Sequence, residues 1–147
     1  MDNISKMIKE SKLNLSTLIV FSRAENIIHK LEYETIKESG LTVAQFAVLE
    51  VLYNKGDLRI QDIIEKILTT SGNITVVIKN LEKENLVIKT PDPNDKRAAI
   101  ISITEKGKEI IEGILPKHIE NINKIFNILS DEEKITLKDI LKKFRML

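Results

Sequence analysis

The chain has 147 residues, the size of one ordinary domain, and can bury a core without disulfides or metals. It has no cysteine, which excludes a disulfide framework, thiol-based sensing of oxidants and a thiolate zinc site. Its 23 basic residues against 22 acidic ones give no global attraction to nucleic acid, so any such binding must come from local placement of Lys and Arg.

The first residues mix charge and polarity, and no apolar run approaches the ~18 residues that read as a membrane span. A soluble, cytoplasmic protein is expected. From Ser11 to about Ser39 the apolar residues Leu15, Leu18, Ile19, Ile27, Ile28, Leu31 and Ile36 recur at helical spacing with charges between them. Gly40 reads as the residue that ends this helix. Thr42 with Gln45 three residues on has the pattern of a capping box, opening a second helix with a stripe of Phe46, Leu49, Leu52 and Tyr53. Lys55-Gly56-Asp57 is a turn, and Leu58-Arg59 has room for a brief strand.

A compact helix follows from about Ile60 to Leu68, with Ile60, Ile63, Ile64 and Ile67 on one face. Thr69-Thr70-Ser71-Gly72 interrupts it and caps the next helix through a hydroxyl. Two short helices joined by a tight turn form a helix-turn-helix arrangement. In the second of them Ile74, Val77, Ile78 and Leu81 share the face that packs. The opposite face displays Gly72, Thr75, Val76, Lys79, Asn80 and Lys83. Asn can pair bidentately with adenine, Lys can reach guanine or phosphate, and Thr or Val can touch a thymine methyl. Taken alone, this face reads equally well as a solvated one.

The next segment shifts that balance. Leu86 to Thr90 and Ala98 to Ile103 read as two strands separated by Pro91-Asp92-Pro93-Asn94-Asp95-Lys96-Arg97. A ribbon this short must pack on the helices to be stable. Its tip, braced by two prolines and two aspartates, presents Lys96 and Arg97, and a guanidinium so placed suits a narrow minor groove. A solvated hairpin turn is the simpler alternative.

Thr104 then caps a long helix reaching about Leu129, with Ile111, Ile114, Leu115, Ile119, Ile122, Ile125 and Phe126 apolar and Pro116 expected to kink it. Ser130-Asp131-Glu132-Glu133 opens a last helix carrying Ile135, Leu137, Ile140, Leu141, Phe144 and Leu147. The whole reads as one unit, 1–147, of mainly α (α+β) class: a winged helix-turn-helix over about 42–104, flanked by helical segments 1–40 and 105–147. Those ends are more apolar than so small a domain can bury. A two-fold dimer of intertwined terminal helices covers them and matches a two-fold DNA site. A helical bundle within one chain is the alternative.

The runs Leu41-Thr42-Val43-Ala44-Gln45-Phe46-Ala47-Val48-Leu49, Ser71-Gly72-Asn73-Ile74-Thr75, Leu81 to Val87, Asp92-Pro93-Asn94-Asp95-Lys96-Arg97 and Ile103-Thr104-Glu105-Lys106-Gly107, in this order, resemble the MarR family of bacterial transcriptional regulators over nearly the whole chain. The Ser71 to Thr75 start also resembles a subgroup that senses quinones and catechols. The resemblance implies a homodimeric winged-helix repressor on a pseudo-palindromic operator. The helix of Ser71, Gly72, Asn73, Thr75, Val76, Lys79, Asn80 and Lys83 would enter the major groove. Arg97 would enter the minor groove beside Lys96, with Asp95 holding the loop.

Two positions depart from the family's pattern. Lys96 stands where a second arginine is common and lacks its planar fork. Glu84-Asn85 stands where glycine is usual, and Asn tolerates the left-handed conformation. The resemblance further implies release from DNA by a phenolic or other aromatic ligand, quinone-like for this subgroup, bound between the dimer helices and the winged domain. Arg23, His29, Tyr33 and Phe46 are the candidate contacts, though each also reads as an ordinary packing or surface residue. No cofactor and no metal is expected, since His29 and His118 alone make a poor zinc site. No Ser-His-Asp ordering or phosphate-cradling glycine loop points to an enzyme. A winged helix serving as a protein-binding adaptor is the remaining rival, and it would present an apolar patch where Thr75, Lys79, Asn80 and Lys83 are polar.

Overall fold

The structure, a computed structural model, describes residues 2–67 and 71–147, and the side chains of all of these but Ser71 and Gly72. The expected cap at Thr69-Thr70-Ser71-Gly72, and the Leu68 end of the preceding helix, lie outside the described residues. Among those described the order is α1 (Asn3–Glu10), α2 (Lys12–Ile36), a 3-10 turn (Lys37–Ser39), α3 (Val43–Lys55), β1 (Leu58–Arg59), α4 (Ile60–Ile67), α5 (Ser71–Lys83), β2 (Val87–Asp92), β3 (Asp95–Ile103), α6 (Glu105–Phe126), α7 (Asp131–Lys142) and a closing 3-10 turn (Lys143–Met146). The fold is mainly α, as expected, with a small antiparallel sheet ordered β1-β3-β2. Helix α1 goes beyond the sequence expectation, because its few apolar residues sit among charges.

Local chemistry sets the boundaries. Gly40 takes the left-handed conformation (φ 77°) that ends the 3-10 turn. Thr42 and Gln45 form the full capping box: the Thr42 hydroxyl accepts from the Gln45 N–H at 3.1 Å, and the Thr42 N–H donates to Gln45 Oε1 at 3.0 Å. Asn85 carries a positive φ of 58°, which the short Asn side chain tolerates. Helix α6 runs unbroken across Pro116, which has no N–H to give the carbonyl one turn earlier.

The core is built around α3. Phe46, Val48, Leu49 and Leu52 are all buried, so the expected stripe is too narrow: Val48 lies off it and Tyr53, on it, is exposed. The reason is position, since α3 packs against α4, α5, α6 and β3 at once. Ile63, Ile74, Ile78, Leu81, Leu86, Val87, Ile101 and Ile111 complete this core. The start of α6 is tied to the α5–β2 turn. Thr104 caps α6 by accepting from the Gly107 N–H at 3.1 Å and donates its own hydroxyl to the Asn85 carbonyl at 2.7 Å. A Cβ at Gly107 would meet the Leu86 carbonyl oxygen and the Ile103 side chain inside van der Waals distance, so a close approach requires the glycine.

Of the terminal helices only α6 contributes substantially to the core, with Gly107, Ile111, Ile114 and His118 buried. No residue of α1 or α7 is buried, and in α2 only Ile36 is.

Candidate nucleic-acid interface

Helix α5 is fixed by the four residues expected to pack: Ile74, Val77, Ile78 and Leu81 are buried. That leaves Asn73, Thr75, Val76, Lys79, Asn80 and Lys83 exposed, with the apolar Val76 58% accessible on an otherwise polar surface. Of the residues expected to read DNA on this helix, Ser71 and Gly72 belong to it but their side chains lie outside the described ones.

The hairpin differs from the expected loop. β2 runs on to Asp92 and β3 begins at Asp95, so the turn is Pro93-Asn94 alone, and Lys96 and Arg97 lie on a strand. The pairing explains their display. Pro91 pairs with Ala99 but Asp92 pairs with Asp95, a register shift that leaves Lys96, Arg97 and Ala98 as extra residues on β3. A bulge bends its strand and re-aims side chains. Asp95 supports it: Asp95 Oδ1 accepts from the Arg97 N–H at 2.9 Å. The exposed side chains of Lys79, Lys83, Lys96 and Arg97 form no ion pair among the described residues.

One residue of this site, Arg59, escaped the sequence reading, and with it the way Asp92 braces the hairpin. Asp92 is 4% exposed; its carboxylate accepts from the Asn94 N–H at 2.9 Å and pairs with the Arg59 guanidinium. Arg59 on β1 thus reaches past β3 to hold the far end of β2. The Asx contact to Asn94 follows from turn chemistry, but nothing in the local sequence names Arg59 as the partner.

The residues named for an effector are not brought together as one lined cavity. Arg23, His29 and Tyr33 are exposed on α2, and the His29 ring lies between Glu25 and Glu32. Phe46 is in the core at 2% exposure, its ring 4.7 Å from that of the buried His118. Thr35 donates to the Glu32 carbonyl at 3.1 Å. The same oxygen lies 3.1 Å from His118 Nδ1, within hydrogen-bond distance. A cavity of about 310 Å³ does lie nearby, between α2 and α6, lined by Thr35, Glu38, Ser39, Glu109, Gly113 and Lys117 among others. Across the joint Tyr53 of α3 donates to Glu112 of α6 at 3.1 Å, and that hydrogen bond and charge hold the phenol's pKa above its ordinary value. Among the described residues no cluster of His, Asp and Glu could hold a metal ion, and no helix is long and apolar enough to cross a membrane.

The MarR family model matches residues 41–99. The HTH-type transcriptional regulator MhqR of Bacillus subtilis (strain 168) is 40% identical over 130 residues, which span 88% of this chain and 90% of MhqR. The chain belongs to the MarR family. It is therefore a DNA-binding transcriptional regulator of MarR type, a class of regulators rather than enzymes. Among solved structures, Bordetella bronchiseptica BpsR, whose DNA binding is regulated by 6-hydroxynicotinic acid, superposes with a TM-score of 0.77 at 25% identity, covering 86% of this chain and 90% of its own. A mutant of MarR from E. coli, complexed with operator DNA, superposes with a TM-score of 0.74 at 22% identity over 98% of this chain and 99% of its own. The second likeness shows that the fold of this MarR-family chain, terminal helices included, is shared over nearly its whole length.

Proposed function

We propose that the protein is a repressor that binds a pseudo-palindromic operator as a homodimer and is released by a small aromatic effector. The observation that carries the DNA reading is the pairing of an exposed helix face with a braced wing. Asn73, Thr75, Val76, Lys79, Asn80 and Lys83 face solvent on α5, and Arg97 stands in a bulge held by Asp95. In this reading Ser71 and Gly72 open the helix in the major groove, the α5 side chains meet base edges and phosphates, and Lys96 and Arg97 approach the adjoining minor groove. A protein-binding adaptor would present an apolar patch on α5, and Val76 alone is too small for one.

The dimer reading divides the chain into a reading unit, about 42–104, and dimerisation helices, 1–40 and 105–147. Its support is exposed apolar surface: Ile4, Met7 and Ile8 on α1, Leu18 and Phe21 on α2, Ile135 and Ile140 on α7. A monomer rarely leaves so many large apolar side chains bare, and a two-fold partner covers the same surface on both copies.

For the effector, the joint between the end of α2 with its 3-10 turn and α6 is the natural seat. BpsR responds to a hydroxylated aromatic acid, and the cavity at this joint is of single-ring size with Lys117 and Glu38 to fix a hydroxyl or carboxylate. Arg23, His29, Tyr33 and the core residue Phe46 do not line this cavity. Footprinting the protein on the DNA beside its own gene, with and without a panel of phenols and quinones, tests the whole reading. A protected two-fold site that is lost with one ligand class is expected. Protection indifferent to every ligand removes the effector, and no protection removes the operator.

A further inference from the structure

We propose that a cleft between α5 and β2 seats a phosphate of the DNA backbone between Lys79 and Lys89, making Lys89 a contact outside both the reading helix and the wing tip. The inference rests on the DNA reading above and deepens it. The cleft has a volume of about 280 Å³ and is lined by Ile60, Thr75, Ile78, Lys79, Glu82 and Lys89. Its two lysines come from different elements, Lys79 from the outward face of α5 and Lys89 from an exposed position on β2. Neither ammonium has an ion pair or hydrogen bond among the described residues, whereas Lys37, Lys108 and Lys124 each pair with a glutamate one turn away.

The location follows from the geometry of a duplex. A helix in the major groove and a wing in the adjoining minor groove straddle the sugar-phosphate strand that separates the two grooves. That strand must cross the surface between α5 and the hairpin, and this cleft lies on that surface. Ile60 and the buried Ile78 give it an apolar floor, which lowers the local dielectric and strengthens a charge contact made there. The half-buried Glu82 opposes an anion, so the cleft is net positive only because both lysines border it.

The test is a set of fluorescence-anisotropy titrations at several salt concentrations. The probes are a duplex from the region beside the protein's own gene and a random-sequence duplex of equal length. Wild type, Arg97→Ala, Lys89→Gln and Lys89→Arg are compared. Each phosphate contact adds roughly 0.9 to the slope of log K against log salt, so Lys89→Gln should lower that slope by about 2 per dimer. It should weaken both duplexes by the same factor, since a phosphate carries no sequence, and Lys89→Arg should keep the wild-type slope. An unchanged slope for Lys89→Gln, or a loss confined to one duplex, overturns the cleft while leaving the DNA reading intact. Failure of wild type to bind either duplex overturns both.

Discussion

The winged region and the terminal helices are built from the same aliphatic residues and end in opposite states. In the first, Leu49, Leu52, Ile63, Ile74 and Leu81 are essentially inaccessible; in the second, Leu18 is 61% and Ile140 49% exposed. The winged region closes on itself because α3 has a partner on every side. Helices α1 and α7 have none of that, so their apolar faces are surplus to the single chain. One region holds a closed core and the other leaves its apolar faces open, and the proposed division into a reading unit and dimerisation helices rests on that difference.

Breaking the assembly should have the largest effect. Ile140→Glu puts a charge on the α7 stripe. It is expected to shift sedimentation from dimer to monomer at low micromolar concentration and to lower operator affinity by about 10²-fold or more as two linked half-sites become independent. A variant that still sediments as a dimer would move the interface away from α7. The matching change in the finished core is Leu49→Ala, expected to cost roughly 2–5 kcal/mol in urea unfolding through transfer loss and cavity formation. A cost near that of an exposed leucine would mean that the winged region does not hold its own core.

Arg97→Ala comes next, with an expected loss of about 1–3 kcal/mol in a mobility-shift titration and an unchanged sedimentation profile. A wild-type titration would take the wing out of the mechanism. The smallest effect concerns the cap of α7. The Ser130 N–H donates to Glu133 at 2.9 Å, and this hydrogen bond holds the Glu133 carboxyl below the ordinary glutamate range. Because the folded pKa is the lower one, the contribution of the cap is complete above the unfolded pKa and is lost as pH falls through the folded value. Protection of the α7 amides against hydrogen exchange, taken relative to the intrinsic rate at each pH, should fall across that acidic window, and Glu133→Gln, which keeps the capping-box acceptor without the charge, should flatten the change.

Several of these features are legible in short stretches of sequence. The Thr42 and Ser130 capping boxes, the left-handed Gly40 and Asn85, and the buried set Ile74, Val77, Ile78 and Leu81 all follow from spacing and side-chain chemistry within a turn or two. The motifs from Leu41 to Gly107 carried the family in the same way. The wing was only half legible. Prolines and aspartates announce a turn, yet the register shift that places Lys96, Arg97 and Ala98 in a bulge depends on how β3 pairs with β2, and such a shift is invisible to composition.

By itself the sequence determined most of the elements, the packing face of α5 and the apolar character of the terminal faces, because these depend on periodicity and on local hydrogen bonds. Only the tertiary structure decided the rest. It buries Val48 off its stripe, joins Arg59 to Asp92, requires glycine at 107 and brings Lys89 beside Lys79. Each of these unites residues far apart in the chain, and long-range packing leaves no signature in the local pattern of either partner.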